Sequence, residues 1–157
     1  MNKHYGLIKS IHGNMITVSF GESIIQNEVG YVLCGNESLM AEVIRVNADI
    51  AYMQVFEDTK GIKVGDKVEF TQKMLSVQLG PGLLGQVYDG LQNPLSEISK
   101  KFGFFLPRGE QIQALDLEKK WHFVPNDKVI KNKVTKAVPL GHVQEGIFNH
   151  LIMVPFN

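Results

Sequence analysis

Leu79–Leu95 reads LGPGLLGQVYDGLQNPL, and the chain changes character on either side of it. Before it come short stretches of alternating apolar and polar residues; after it the pattern breaks and the charge changes sign. Gly80-Pro81-Gly82 is a compact turn, because Pro81 fixes φ and the glycines tolerate dihedrals that side-chain-bearing residues resist. Leu83, Leu84, Val87 and Leu91 then recur at helical spacing, with Pro81 suited to a first-turn position. Asp89-Gly90 and Asn93-Pro94 would end such a helix after about two turns. The stretch is expected to be a short helical connector between two β-rich regions.

Gly80-Pro81-Gly82-Leu83-Leu84-Gly85 also matches G-x-G-x-x-G. A dinucleotide fingerprint needs free backbone N–H groups at a helix start and an acidic residue about 20 positions on. Pro81 removes one donor, position 105 is Phe, and no βαβ repeat follows. Gly61–Lys67, GIKVGDK, fails as a phosphate loop because its glycines are four apart and Asp66 would repel phosphate. Both are read as turns.

Upstream, Tyr5–Ser10, Met15–Phe20, Glu28–Leu33, Leu39–Val46, Ile50–Phe56 and Lys67–Phe70 are rich in β-branched, aromatic and aliphatic residues. Turn signals separate them, among them Gly13-Asn14, Gly35-Asn36 and Ala48-Asp49. Met15–Phe20 places Ile16, Val18 and Phe20 on one face. Six such strands without an intervening helix predict a small closed antiparallel barrel, which leaves no exposed edges. Downstream, Phe102, Phe104 and Phe105 make 96–106 too apolar for a free linker. Trp121–Val124 and Leu151–Val154 read as strands, with Lys128–Val134 and Leu140–Val143 as further candidates.

The fold class is therefore all-β, with three segments. Residues 1–78 form the barrel, 79–107 the connector, and 108–157 a partial second β domain that opens at Arg108-Gly109. The 157 residues can bury a real core. Residues 1–95 carry 7 Lys/Arg and 10 Asp/Glu, and residues 96–157 carry 9 and 6. That asymmetry agrees with separate units and is too mild for a nucleic-acid footprint. One cysteine, Cys34, excludes an internal disulfide framework and is read as a small core or turn residue. No apolar run suits a membrane span or a signal peptide, so a cytoplasmic location without membrane insertion is expected.

Catalytic constellations are missing. His4, His12, His122, His142 and His150 form no metal-ligand spacing, and His142-x-x-Glu145 alone is not a site. Lys128, Lys131, Lys133 and Lys136 are read as a solvated face. No catalytic, cofactor-binding or metal site is assigned. An OB-like nucleic-acid module would need exposed aromatics interleaved with basic residues, and Phe20, Tyr31, Tyr52 and Phe56 are read as lacking basic neighbours. A biotinyl- or lipoyl-type carrier would need a modified lysine at a hairpin tip.

In these motifs the chain resembles the catalytic A subunit of the V-type and A-type rotary ATPases. The resemblance runs in order through Gly6-Leu7-Ile8, Gly13-Asn14-Met15, Ala41–Ile44, Gln54–Gly61, Leu75–Leu95, Arg108-Gly109, Trp121 and His150–Pro155. It implies an N-terminal barrel followed by the start of the bulge, or non-homologous, region. Lys136-Ala137, with Pro139 after it, departs from the Gly-Asp turn of many relatives. The resemblance implies Mg-ATP hydrolysis or synthesis coupled to H⁺ or Na⁺ transport for the whole subunit. It places the phosphate loop, the catalytic glutamate and a helical domain beyond Asn157, so this segment is expected to be inactive and to need no cofactor. Its expected partners are B subunits in the ring and the peripheral stalk, on the cytoplasmic side of a membrane. Self-association is expected through an unpaired strand at Leu151–Val154.

Overall fold

The structure, a computed structural model, describes residues 4–103, 108–129 and 132–156. The chain divides into two compact units, Met1–Ser76 with Phe104–Gln111, and Val77–Gly103 with Ile112–Asn157.

The first unit is the expected barrel. Its strands are β1 (His4–His12), β2 (Met15–Phe20), β3 (Glu28–Cys34), β4 (Glu37–Asn47), β5 (Ile50–Val55) and β6 (Lys67–Met74). They close in the order β1-β2-β5-β4-β3-β6, with every pairing antiparallel. Period-two alternation turns Ile8, Ile16, Val18, Val32, Leu39, Val43, Met53, Val55 and Val68 inward as the buried core. Phe70 joins them and meets Phe20 edge to face, ring centroids 6.4 Å apart. Cys34 ends β3 and packs against the core.

Closure brings backbones close at two glycines beside β6. Gly6 on β1 is opposite Val68, and Gly30 on β3 is opposite Phe70. A Cβ on Gly6 would lie 2.5 Å from Val18 Cγ1 and 2.8 Å from the Ser19 carbonyl oxygen. Glu28, 1% exposed, is the charged residue inside this unit. Its carboxylate accepts the N–H groups of Gln72 (2.6 Å) and Ile25 (3.2 Å), so its burial is compensated. The bond to Gln72 holds β6 where its register with β3 shifts and Gln72 takes φ 57°.

In the second unit no helix forms over Leu83–Leu91, contrary to the sequence expectation. One i→i+3 bond, Gln86 N–H to Leu83 O at 3.2 Å, is all that the apolar spacing yields. Gly82 (φ 109°), Gly85 (φ 79°) and Gln92 (φ 64°) take left-handed conformations that a helix cannot hold. Asp89 folds the end of the stretch back, accepting the N–H groups of Leu91 (2.9 Å) and Asn93 (2.8 Å). The helix, α1, begins one step later, at Leu95–Phe102. Glu97 lies in its first turn, Lys100 and Lys101 in its last, and Gly103 at its C-cap. Ile98 is its buried residue. Phe104 and Phe105, expected to dock on a surface, lie outside the described residues.

A three-stranded antiparallel sheet completes the unit, with β7 (Phe123–Pro125), β8 (Pro139–Glu145) and β9 (Phe148–Met153) side by side. Trp121 precedes β7 rather than starting it. Asp127–Val129 form a turn where a strand from Lys128 was expected, and no strand is described as far as Val134. The expected unpaired strand at Leu151–Val154 is also corrected, because β9 pairs with β8 along its length. Phe148, Leu151 and Met153 nevertheless remain exposed.

Two substitutions test this packing. Gly6→Ala should destabilise the barrel by about 1–3 kcal/mol, since backbone and core atoms crowd the new methyl; a urea melt followed by tyrosine fluorescence reads it. Ala137, the departure noted above, sits at φ 62°. Relief of left-handed strain outweighs the added unfolded-state freedom, so Ala137→Gly should raise stability by about 0.5–1 kcal/mol in the same melt followed by Trp121 fluorescence.

Candidate functional site

The two glycine-bearing motifs are both filled from within the chain. In Gly61–Lys67, the Lys63 N–H donates to the Asp66 carboxylate at 2.7 Å, and the Gly65 N–H to the Ile8 carbonyl at 2.9 Å. The loop is a turn into β6.

Gly80–Gly85 is more unusual. The N–H groups of Gly82 and Leu84 converge on Glu145 Oε1, at 2.7 and 3.0 Å. Glu145 closes β8 and is 6% exposed; its Oε2 lies 2.8 Å from His150 Nδ1 on β9. Burial pushes the Glu145 carboxyl up, but the Leu84 and Gly82 N–H groups and His150 outweigh it and hold it below its ordinary 4.5. Nearby Tyr88 donates to the Ala114 carbonyl at 3.2 Å, and burial, then the Glu145 charge, raises its phenol above 10.0. The loop does gather an anion, as a G-x-G-x-x-G loop can, and the anion is a side chain more than 60 residues away.

A groove of about 550 Å³ lies beside that loop, lined in part by Pro81, Tyr88, Pro94, Lys100 and Lys119. Its cations are engaged already. Lys100 pairs with Glu97 at 2.7 Å, and Lys119 Nζ sits 4.3 Å from the Trp121 ring centroid.

A second polar cluster belongs to the barrel unit. Arg108 Nε donates to Glu37 Oε2 at 2.9 Å, and a terminal nitrogen reaches the same oxygen. Nη1 donates to the carbonyl oxygens of Asp58, at 3.0 Å, and Lys60. The hydrogen bond to Glu37 raises the guanidinium above its ordinary value, so it is always charged. Gly109 N–H donates to Glu57 at 2.8 Å; a Cβ there would meet the Ser38 nitrogen at 3.2 Å, and its φ is 75°. Arg108-Gly109 is thus a strap across the β3–β4 hairpin and the 57–61 loop. The guanidinium's fork spans acceptors that lysine's point charge could not.

Among the described residues no group of three His, Cys, Asp or Glu side chains could hold a metal ion. His4 instead pairs with Glu22 at 2.6 Å, and His150 serves Glu145. Lys128, Lys133 and Lys136 are exposed, and Lys131 lies outside the described residues. The aromatic reading needs one correction. Strand register sets Arg45 opposite exposed Tyr52, and Lys67 Nζ lies 5.9 Å from the Tyr5 ring, although neither cation neighbours its ring along the chain. No helix among the described residues is long and apolar enough to cross a membrane.

Arg108→Ala should cost the barrel about 1 kcal/mol, because the pair with Glu37 is partly solvated. Arg108→Lys should recover less than half of that. A double-mutant cycle with Glu37→Gln, read by urea melts, isolates the coupling; equal stabilities for the Lys and Arg forms would refute the fork.

A packed barrel is thus followed by a second, sheet-bearing unit, and known proteins share two domains in that order. Residues 8–72 match the beta-barrel domain of the ATP synthase alpha/beta family, and residues 112–157 match its alpha/beta subunit barrel-sandwich domain. A V-type ATP synthase alpha chain from Treponema denticola is 55% identical over all 157 residues. One from Treponema pallidum is 50% identical over the same span. One from Borreliella afzelii is 51% identical over 96% of this chain. The chain spans 26% of the length of each of these relatives. With both domains in order and half or more of its residues shared, the chain belongs to the ATP synthase alpha/beta family, where it matches the N-terminal region of V-type alpha chains.

Proposed function

We propose that this chain is the assembly-bearing N-terminal part of a catalytic V-type ATPase subunit. The observation that carries the reading is 55% identity to a V-type ATP synthase alpha chain along the whole 157 residues. ATP hydrolysis or synthesis with Mg-ATP, coupled to H⁺ or Na⁺ movement, is the proposed activity of the whole subunit. The barrel's part is contact with neighbouring B-subunit barrels in a ring, at the cytoplasmic side of a membrane. The part from β7 to β9 faces the peripheral stalk, and its exposed Phe148, Leu151 and Met153 suit an apolar contact there or, at high concentration, between copies of the chain.

The reading is supported by internally committed donors. A segment whose loop N–H groups already hold Asp66 and Glu145 has no open phosphate cradle at those loops. Two measurements on the 157-residue chain test it. Titration with Mg-ATP should give no binding tighter than about 100 μM, equivalent to about −5.5 kcal/mol. Mixing with a V-type B subunit should give a complex by sedimentation, lost on disruption of the barrel by Gly30→Val. Tight ATP binding, or no complex at tens of micromolar, would overturn the assignment.

A further inference from the structure

The loop at Gly80–Gly85 and the β8–β9 hairpin are joined through one carboxylate. Glu145 Oε1 takes two backbone N–H groups, from Gly82 and Leu84, and Oε2 takes His150 Nδ1. Within Gly80–Gln86 the other backbone bond described, Gln86 N–H to Leu83 O, is local; just beyond, Val87 O accepts the Leu95 N–H at 3.0 Å. Two N–H groups converging on one oxygen form a nest, whose partial positive charge favours an anion over a neutral acceptor. Gly82 can present its N–H this way because it sits at φ 109°, with Leu115 and Trp121 3.5–3.7 Å from where a Cβ would stand.

We propose that Glu145 is a charge-held latch: its carboxylate is the resident anion of the receptor formed by the Gly82 and Leu84 N–H groups, and the loop holds its place on the hairpin only while that carboxylate is ionised. The inference is independent of the family-level function. The latch fixes where Leu84, 49% exposed, is presented.

The groups facing Glu145 are His150 from β9 and Tyr88 from the segment after the loop. Tyr88 stays protonated at neutral pH, being raised above 10.0, and so brings no second negative charge. Protonated His150 strengthens the latch; neutral His150 still donates from Nδ1 in the matching tautomer. Glu145 is held below 4.5 in the folded chain, so the latch is fully set at neutral pH. It stays set where an unfolded carboxylate would take up its proton, and opens only as pH falls through the lower folded value.

Amide NMR of the whole chain tests this. In the wild type, the Gly82 and Leu84 amide protons should move together in one acid titration with its midpoint below 4.5. Glu145→Gln should abolish that titration and speed hydrogen exchange at both amides roughly tenfold or more, while amides of β1 to β6 keep their rates. His150→Ala should move the midpoint up and leave both amides protected at neutral pH. A midpoint at or above 4.5, or full protection of Gly82 and Leu84 in Glu145→Gln, would overturn the latch. Should Glu145→Gln unfold the second unit, the wild-type titration decides alone.

Discussion

Closing the barrel depends on β6, which must pair with β1 on one side and β3 on the other. It carries the bulky inward pair Val68 and Phe70, and a small barrel leaves little room for them. The solution lies in the neighbours: Gly6 faces Val68 across one ladder and Gly30 faces Phe70 across the other. Two missing side chains thus admit two large ones, and both free strand edges vanish. The other strand positions need only alternation and fair size, which the apolar residues of β2, β4 and β5 supply. Without closure β1 and β3 would each expose a ladder of unpaired N–H and C=O groups. The other core contacts have their geometry because those two edges are joined.

A second theme is the use of acids as internal pins. Glu28, Glu37, Glu57, Asp66, Asp89 and Glu145 each hold a backbone N–H or the strap's guanidinium. Five of the six fall in residues 1–95, where acidic residues outnumber basic ones. Half of the ten acids in that stretch therefore hold turns, bulges or the strap of the chain itself. Ionised acceptors hold N–H groups about twice as strongly as neutral ones. That suits a chain whose connections between strands contain many irregular turns and little helix.

What the sequence made legible follows the range of the determining interactions. All six barrel strands were readable because each carries its own period-two pattern and is bounded by its own turn residues. The second unit was harder. Leu83, Leu84, Val87 and Leu91 have helical spacing, but Gly85 and Gly90 stand among them, and the N–H groups of Gly82 and Leu84 answer to Glu145, which no window of ten or twenty residues contains. The helix at Leu95–Phe102 did leave local marks, with Pro94 before it, Glu97 in its first turn, lysines in its last and Gly103 after it. The apolar run that followed obscured those marks. Arg108 gave no local sign of its role, since Glu37 is 71 residues away.

The glycine motifs show why pattern and chemistry come apart. A G-x-G-x-x-G string creates a place where backbone N–H groups can point the same way, and nothing more. Whether that place binds phosphate depends on what stands opposite. A strand carrying a carboxylate at the right register fills it, satisfies its donors, and turns a binding loop into a structural joint. Here Glu145 sits at the last position of β8, where the strand ends and its side chain is free to lean across to the loop. Pro81 removes one donor and the loop keeps two in reach, a number that one carboxylate oxygen can satisfy. The same glycines that would admit a nucleotide's phosphate admit the chain's own acid. The difference lies 63 residues downstream, in one side chain.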